Sequence, residues 1–142
     1  MNIIPASVSD AQVLALFSEH DDYMMDFLGS DKDCYTRYNA AENIEKVWIA
    51  YEQNAPIGCV AYRTKSDDTG EVKRLFIRSE YRGNGISKAL LSEVKNYAKA
   101  LGCIKLFLDT RITLEPAISL YRSFGFEITF QKGLYIQMEM NI

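Results

Sequence analysis

The sequence is poor in the residues that build metal sites, disulfide frameworks and membrane spans. Histidine occurs once, at His20, and cysteine three times, at Cys34, Cys59 and Cys103. The three cysteines and the histidine are too scattered along the chain to match a zinc-ligand spacing, so no metal is expected. An odd number of cysteines with no close spacing suits a reducing compartment better than a disulfide framework. The three are expected as buried or half-buried thiols. No apolar run is long enough to span a bilayer. Met1 to Ala6 shows no basic stretch leading into an apolar core, the mark of a secretory signal. A cytoplasmic location is therefore expected. Internal repeats and low-complexity tracts are missing, as are the nucleotide fingerprints G-x-x-x-x-G-K-S/T and G-x-G-x-x-G. No basic stripe with interleaved aromatics is present, so neither nucleic acid nor a membrane is an expected partner.

What is present suits one compact soluble domain over residues 1–142. The chain has 142 residues, of which 48% are hydrophobic and 25% charged. Its net charge of −3 hides an asymmetry. Residues 1–71 carry 13 acidic and 5 basic side chains, while residues 72–142 carry 6 acidic and 11 basic, giving −8 and +5. Chance partition of solvated charge accounts for this as readily as function does. The functional reading is a second half that meets an anion and a first half that meets a cation.

The order of elements is strand, helices, three strands, helix, strand, helix, two strands. Asn2 to Pro5 reads as a first strand. Ser7 or Ser9 is expected to cap a helix with Val13, Leu14, Leu16 and Phe17 on one side. A second short helix carries Tyr23, Met24, Phe27 and Leu28 and stops at Gly29. His20, between them, reads as a helix-end residue. Ser30 to Glu42 is expected as a loop of a length that often serves function. Val47 to Glu52, Ile57 to Arg63 and Glu71 to Ile77 read as strands. In the last of these, Val72, Arg74 and Phe76 alternate against Lys73, Leu75 and Ile77. Gly83 to Leu101 reads as a long amphipathic helix with Ile86, Ala89, Leu90, Val94, Tyr97 and Ala98 inward. Cys103 to Asp109 is a strand, Pro116 starts a helix ending near Gly125, and Phe126 to Phe130 with Leu134 to Met140 form a closing hairpin. This is an α/β domain around one mixed sheet.

The informative segment is Glu71-Val-Lys-Arg-Leu-Phe-Ile-Arg-Ser-Glu-Tyr-Arg-Gly-Asn-Gly-Ile-Ser87. A strand runs into a glycine-containing turn and straight into a helix. Gly83 and Gly85 let the backbone curl and approach a ligand closely. The first helical amides lack intrahelical partners and point at the turn. An anion site fitted to a pyrophosphate results, with the positive charge of Arg82 beside it.

Arg82-Gly-Asn-Gly-Ile-Ser87 resembles the R-x-x-G-x-G/A signature of the GNAT superfamily of acetyl-CoA-dependent N-acetyltransferases. Glu115-Pro-Ala-Ile-Ser-Leu-Tyr-Arg-Ser-Phe-Gly-Phe126 resembles its second signature, A-x-x-L-Y-x-x-x-G-F. The two together cover roughly residues 57–130. Ser87 departs from the usual Gly or Ala. The resemblance implies a GNAT-like α/β single domain, with a mixed, mostly antiparallel sheet whose central parallel strands splay apart, flanked by helices. It implies acetyl-CoA as co-substrate. Backbone groups of Leu75, Phe76 and Ile77 would meet the pantetheine arm, and Arg82, Gly83, Asn84, Gly85, Ile86 and Ser87 would wrap the pyrophosphate, with Ala117 adding a cofactor contact. Family members often carry Asn just after the strand that ends here at Asp109; this chain has Asp109 and Thr110 there.

The resemblance also suggests an acid and a base. Aminolysis of a thioester needs a neutral amine and a protonated leaving thiolate. Tyr121 matches the family tyrosine near the cofactor sulfur. Glu71 lies eleven positions before Arg82, where some members place a catalytic glutamate, although it could simply pair with Lys73 or Arg74. The expected partner is a small-molecule amine acceptor, cationic or zwitterionic if the acidic half meets it, with a homodimer left open. A protein N-terminus or lysine as acceptor, or a CoA-binding sensor without catalysis, remain the competing readings.

Overall fold

The computed structural model describes residues 1–28 and 43–142. Seven strands form one sheet: β1 (Asn2–Ala6), β2 (Lys46–Glu52), β3 (Ala55–Ser66), β4 (Thr69–Ile77), β5 (Lys105–Arg111), β6 (Glu127–Lys132) and β7 (Tyr135–Asn141). Their order across the sheet is β1-β2-β3-β4-β5-β7-β6. Every neighbouring pair is antiparallel except β4 and β5, which run parallel. The described residues hold three α-helices, α1 (Ala11–Leu28), α2 (Ile86–Ala100) and α3 (Glu115–Phe124). Helix α1 covers one face of the sheet, where Val13, Leu16 and Phe17 pack with Val47, Ile49, Cys59, Ala61 and Phe76. On the other face, Leu90, Leu91 and Val94 of α2 and Ile118 of α3 share the larger core with Trp48, Val60, Tyr62, Leu106 and Leu108. The mixed α/β architecture expected from the sequence is the one observed. Among the described residues no helix is long and apolar enough to cross a membrane.

Helix α1 corrects three local readings. It is continuous through His20, so this residue sits within the helix instead of at an end, and is buried. The cap is Asp10, whose Oδ1 accepts the Gln12 N–H at 2.8 Å. Ser7 and Ser9 instead hydrogen-bond each other at 2.9 Å. Leu14 is 55% exposed, because a 3.6-residue period puts it off the stripe of Val13, Leu16 and Phe17. Cys59 and Cys103 are buried free thiols; Cys34 and the loop Ser30 to Glu42 lie outside the described residues.

The β4 alternation is also corrected. Val72 and Ile77 both join the core under α2, while Phe76 joins the core under α1. An uninterrupted strand cannot place residues five apart on one face. The pairing jumps from Ala61↔Lys73 to Cys59↔Phe76, so β4 spends one residue more than β3. Arg74 takes φ 57°, in the left-handed region. This is a β-bulge, which inverts the side-chain phase downstream and bends the strand. Next to it, Gly58 pairs with Ile77, and an added Cβ there would sit 2.8 Å from the Phe76 carbonyl oxygen and 2.6 Å from Ile77 Cδ1. Backbone that close cannot be cleared by a rotamer change. Gly58→Ala should therefore destabilise the fold by about 1–3 kcal/mol, seen as a lower urea midpoint at unchanged slope; an unchanged midpoint would show that β3 and β4 can separate there.

Candidate active site

Strands β4 and β5 pair over only three positions, Thr69↔Lys105, Gly70↔Leu106 and Glu71↔Phe107. Beyond Glu71 they part, bent by the bulge at Arg74. A cavity of about 390 Å³ fills the opening, within the range of small-ligand pockets. Its walls come from five places: Leu75, Phe76 and Ile77 on β4, Leu108 and Asp109 on β5, Ala117 and Tyr121 on α3, His20 and Tyr23 on α1, and Arg82, Gly83 and Ser87 where the turn enters α2. A second cavity of about 330 Å³ adjoins it, lined by Gly83, Gly85, Ile86 and Ser87 and sharing Ile77, Arg82, Gly83, Ser87 and Leu120 with the first. The two form one path from the start of α2 to the gap between the parallel strands.

The turn has the conformation the glycine pattern requires. Gly83 and Gly85 adopt φ +82° and +77°, and an added Cβ at either would meet nothing within 4 Å. The glycines are thus demanded by backbone shape, and the space above them is open. Gly85 is the cap of α2 and no side chain caps that end. The first intrahelical bond runs from the Ala89 N–H to the Gly85 carbonyl, which leaves the preceding amides to an outside acceptor. Because these glycines are left-handed, α2 begins at Ile86 and not at Gly83. Asn84 ties the turn down, donating from Nδ2 to the Tyr81 carbonyl at 3.3 Å.

The acetyltransferase (GNAT) family profile matches residues 15–126. The chain belongs to the GNAT family of acetyltransferases. It is 36% identical over 98 residues to an uncharacterised N-acetyltransferase of Schizosaccharomyces pombe, covering 63% of this chain and 60% of that protein. It is 33% identical to human N-acetyltransferase 8, over 73% of this chain and 48% of that protein. The matches thus span about half to three-fifths of these relatives' lengths. The fold superposes with a TM-score of 0.74 on a GNAT family acetyltransferase of Elizabethkingia anophelis with acetyl-CoA bound, at 20% identity, over 99% of this chain and 97% of that one.

Within this GNAT domain the two sequence candidates for proton transfer fall in different surroundings. Tyr121 lines the cavity from α3, its ring edge-on to Phe126 at 5.9 Å. Burial pushes its phenol up to about 12, with the Asp109 carboxylate adding to the rise. Glu71 does not line the cavity, whose β4 wall begins one residue later at Val72. Its side chain is 3% exposed, with Oε1 2.8 Å from Arg63 Nε and Oε2 3.7 Å from Lys73 Nζ. It lies under the part of the sheet that is still closed.

Asp109 is the titratable group that the sequence pattern did not single out. It stands two residues beyond Phe107, the last β5 position paired with β4, and lines the cavity. Desolvation raises its pKa, opposed by Lys73 and reinforced by Glu71; Lys65 and the Tyr135 hydroxyl, which donates to Oδ2 at 3.4 Å, also oppose the rise. Tyr135 in turn accepts from Gln137 Nε2 at 2.8 Å. The available signal was positional: Asp109 is a carboxylate near the carboxyl end of a parallel strand, where α/β folds bind ligands. The acidic residues of α1 are partly committed to the fold, Glu19 to Arg78 and Asp21 to Arg74. Of the acidic half, Asp31, Asp33 and Glu42 lie outside the described residues.

Proposed function

We propose that this chain transfers the acetyl group of acetyl-CoA to the primary amine of a small molecule, by direct attack in a ternary complex. The observation that carries this reading is the continuous path from the uncapped start of α2 to the opening between β4 and β5, with Tyr121 and Asp109 lining it. The residues fit the cofactor at each stage. The open turn Gly83–Ser87 and the free α2 amides suit a pyrophosphate, and the parted strand suits an extended arm laid along Leu75 to Ile77. The Ile77 carbonyl already accepts from Arg82 Nε at 2.9 Å, which leaves its N–H and one carbonyl lone pair for the arm. Ala117 borders the same space.

When bound, acetyl-CoA supplies the activated acetyl group. The protein's own work is to hold and move protons. An alkylamine, with pKa ~10.4 by the lysine reference, arrives protonated. Asp109, in the cavity and with a raised pKa, is placed to accept that proton. Tyr121 keeps its own proton throughout the physiological range and is placed to give it to the leaving sulfur. Glu71 enters this reading as the counter-ion that fixes Lys73, and Tyr135 and Gln137 as the groups that orient Asp109.

Gly85→Asp tests the cofactor half of the proposal. The variant puts a carboxylate where the pyrophosphate would lie, at a position with room for a side chain. The left-handed φ adds backbone strain of about 1–2 kcal/mol, so folding is checked by circular dichroism. Calorimetry with CoA should show binding reduced by at least about tenfold, equivalent to ~1.4 kcal/mol. Unchanged affinity in the folded variant would remove the pyrophosphate from this turn.

A further inference from the structure

A chain of buried charges ends at the larger cavity. Arg63 on β3 reaches Glu71 Oε1 with its Nε at 2.8 Å, and Glu71 Oε2 lies 3.7 Å from Lys73 Nζ. The Arg63 side chain is 33% exposed, those of Glu71 and Lys73 only 3% and 7%. The chain therefore runs inward from solvent and stops at Lys73, which lines the cavity where Glu71 does not. Taking a lysine and a glutamate out of water costs as much as their attraction ordinarily returns, or more. Stability is thus a poor reason for the pair.

The sheet register shows what Lys73 faces. Glu71 and Phe107 are the last partners of the parallel strands β4 and β5. Partners in register share a face, and so do residues two apart on a strand. Lys73 and Asp109, each two residues further on, thus stand on one face of the sheet, on opposite sides of the opening where the strands part. The bulge at Arg74 comes only after Lys73, so the alternation from Glu71 to Lys73 is regular. Both residues line the cavity. On β3, Lys65 lies over the Phe107 ring at 3.8 Å. On β7, Tyr135 donates to Asp109 Oδ2 at 3.4 Å, and Glu139 pairs with Lys105 at 3.4 Å. Tyr121 of α3, His20 of α1, Arg74 and Arg82 line the same cavity, and Arg111 follows Asp109 on the same face of β5. Among these cations Lys73 acts most strongly on Asp109, ahead of Lys65, and Glu71 opposes it.

We propose that Lys73 is a positioning residue of the transfer: its ammonium, fixed by the Arg63–Glu71 pair, faces the Asp109 carboxylate across the mouth of the opening and keeps it charged to take the acceptor's proton. This rests on the acetyltransferase reading above and deepens it. Burial favours the protonated form of Asp109, which cannot accept a proton. A fixed cation in front of it favours the charged form. Glu71 has two effects of opposite kind. It holds Lys73 in place, and its own charge favours protonation of Asp109. The two substitutions therefore differ in sign. Removing the Lys73 charge raises the Asp109 pKa, and removing the Glu71 charge lowers it.

The test is the pH profile of kcat/KM at saturating acetyl-CoA, with the fastest acceptor among ethylamine, phenethylamine, putrescine and glycinamide. In Lys73→Met the acid limb should move up by about one pH unit or more, the scale of one nearby charge. In Glu71→Gln it should move down. Lys73→Arg should restore the wild-type limb. A purely structural role would lower the rates of both variants and leave the limb in place. In an Asp109→Asn background, Lys73→Met should no longer move the profile. Calorimetric affinity for CoA should change little. Should Lys73→Met misfold, the direction of the limb in Glu71→Gln decides alone. A limb unmoved in both variants, or moved up in Glu71→Gln, would overturn the inference and leave acetyl transfer standing. So would a Lys73→Met variant that loses CoA affinity in step with its activity, because Lys73 would then serve the cofactor. CoA binding with no turnover of any amine would overturn the acetyltransferase reading itself, and this inference with it.

Discussion

Replacing Tyr121 with phenylalanine should lower kcat by about 10²-fold or more, the usual contribution of a general acid, while CoA affinity and folding change little. The ring that packs on Phe126 is kept and only the hydroxyl is lost. The pKa direction adds a second signature. Burial, then the nearby Asp109 charge, raise the Tyr121 pKa to about 12. The neutral, proton-bearing form is therefore favoured, and the acid form is lost only as pH rises through that value. The wild-type rate should show no alkaline limb from this group below about pH 11. Wild-type turnover in the phenylalanine variant would return Tyr121 to the role of a packing aromatic.

Asp109→Asn should reduce kcat/KM at pH 7 by about 10²–10⁴-fold and change the shape of the pH profile. A carboxylate accepts a proton only when charged, and burial disfavours its charged form. The acid limb of the wild-type profile should therefore lie above the ordinary aspartate value of ~3.9. In the asparagine variant that limb disappears. Activity should instead climb with pH toward the pKa of the acceptor amine, as the neutral form becomes available from solution. Calorimetry should find CoA binding intact. An asparagine variant with wild-type rates and an unchanged profile would assign proton removal to another group or to solvent.

These two residues show how far the sequence could be read. The Arg82–Ser87 turn and the helix bearing Tyr121 were legible because each is local: glycines at left-handed φ, uncapped amides and an amphipathic helix are all written in neighbouring residues. The meeting of Asp109 with Tyr121 was not, because it depends on where β5 leaves its parallel partner. That point is fixed by the bulge in β4, and the bulge carries no glycine to announce it. Arg74 takes φ 57° as an ordinary L-residue, held by its ion pair with Asp21 and by the Phe17 ring beneath it at 4.8 Å. The same bulge defeats the simple alternation of Val72, Arg74 and Phe76, since one inserted residue inverts every side chain after it.

The charge asymmetry was visible in the sequence, but part of its meaning is structural. Glu19 and Asp21 of the acidic half pair with Arg78 and Arg74 of the basic half, docking α1 against β4. Those carboxylates answer the protein's own arginines before any acceptor arrives. Glu71 is a similar case. Its spacing from the turn suggested chemistry, and its surroundings are those of a buried counter-ion, closed in by Arg63 and Lys73.

Amine-dependent release of free thiol from acetyl-CoA, with the acetylated product identified by mass spectrometry, tests the central claim most directly. The purified protein should release one thiol for each acetylated amine, with at least one small primary amine turned over well above the rate without acceptor. Tight CoA binding accompanied by thiol release that no amine accelerates would contradict the account and leave a CoA-binding module without acetyl transfer.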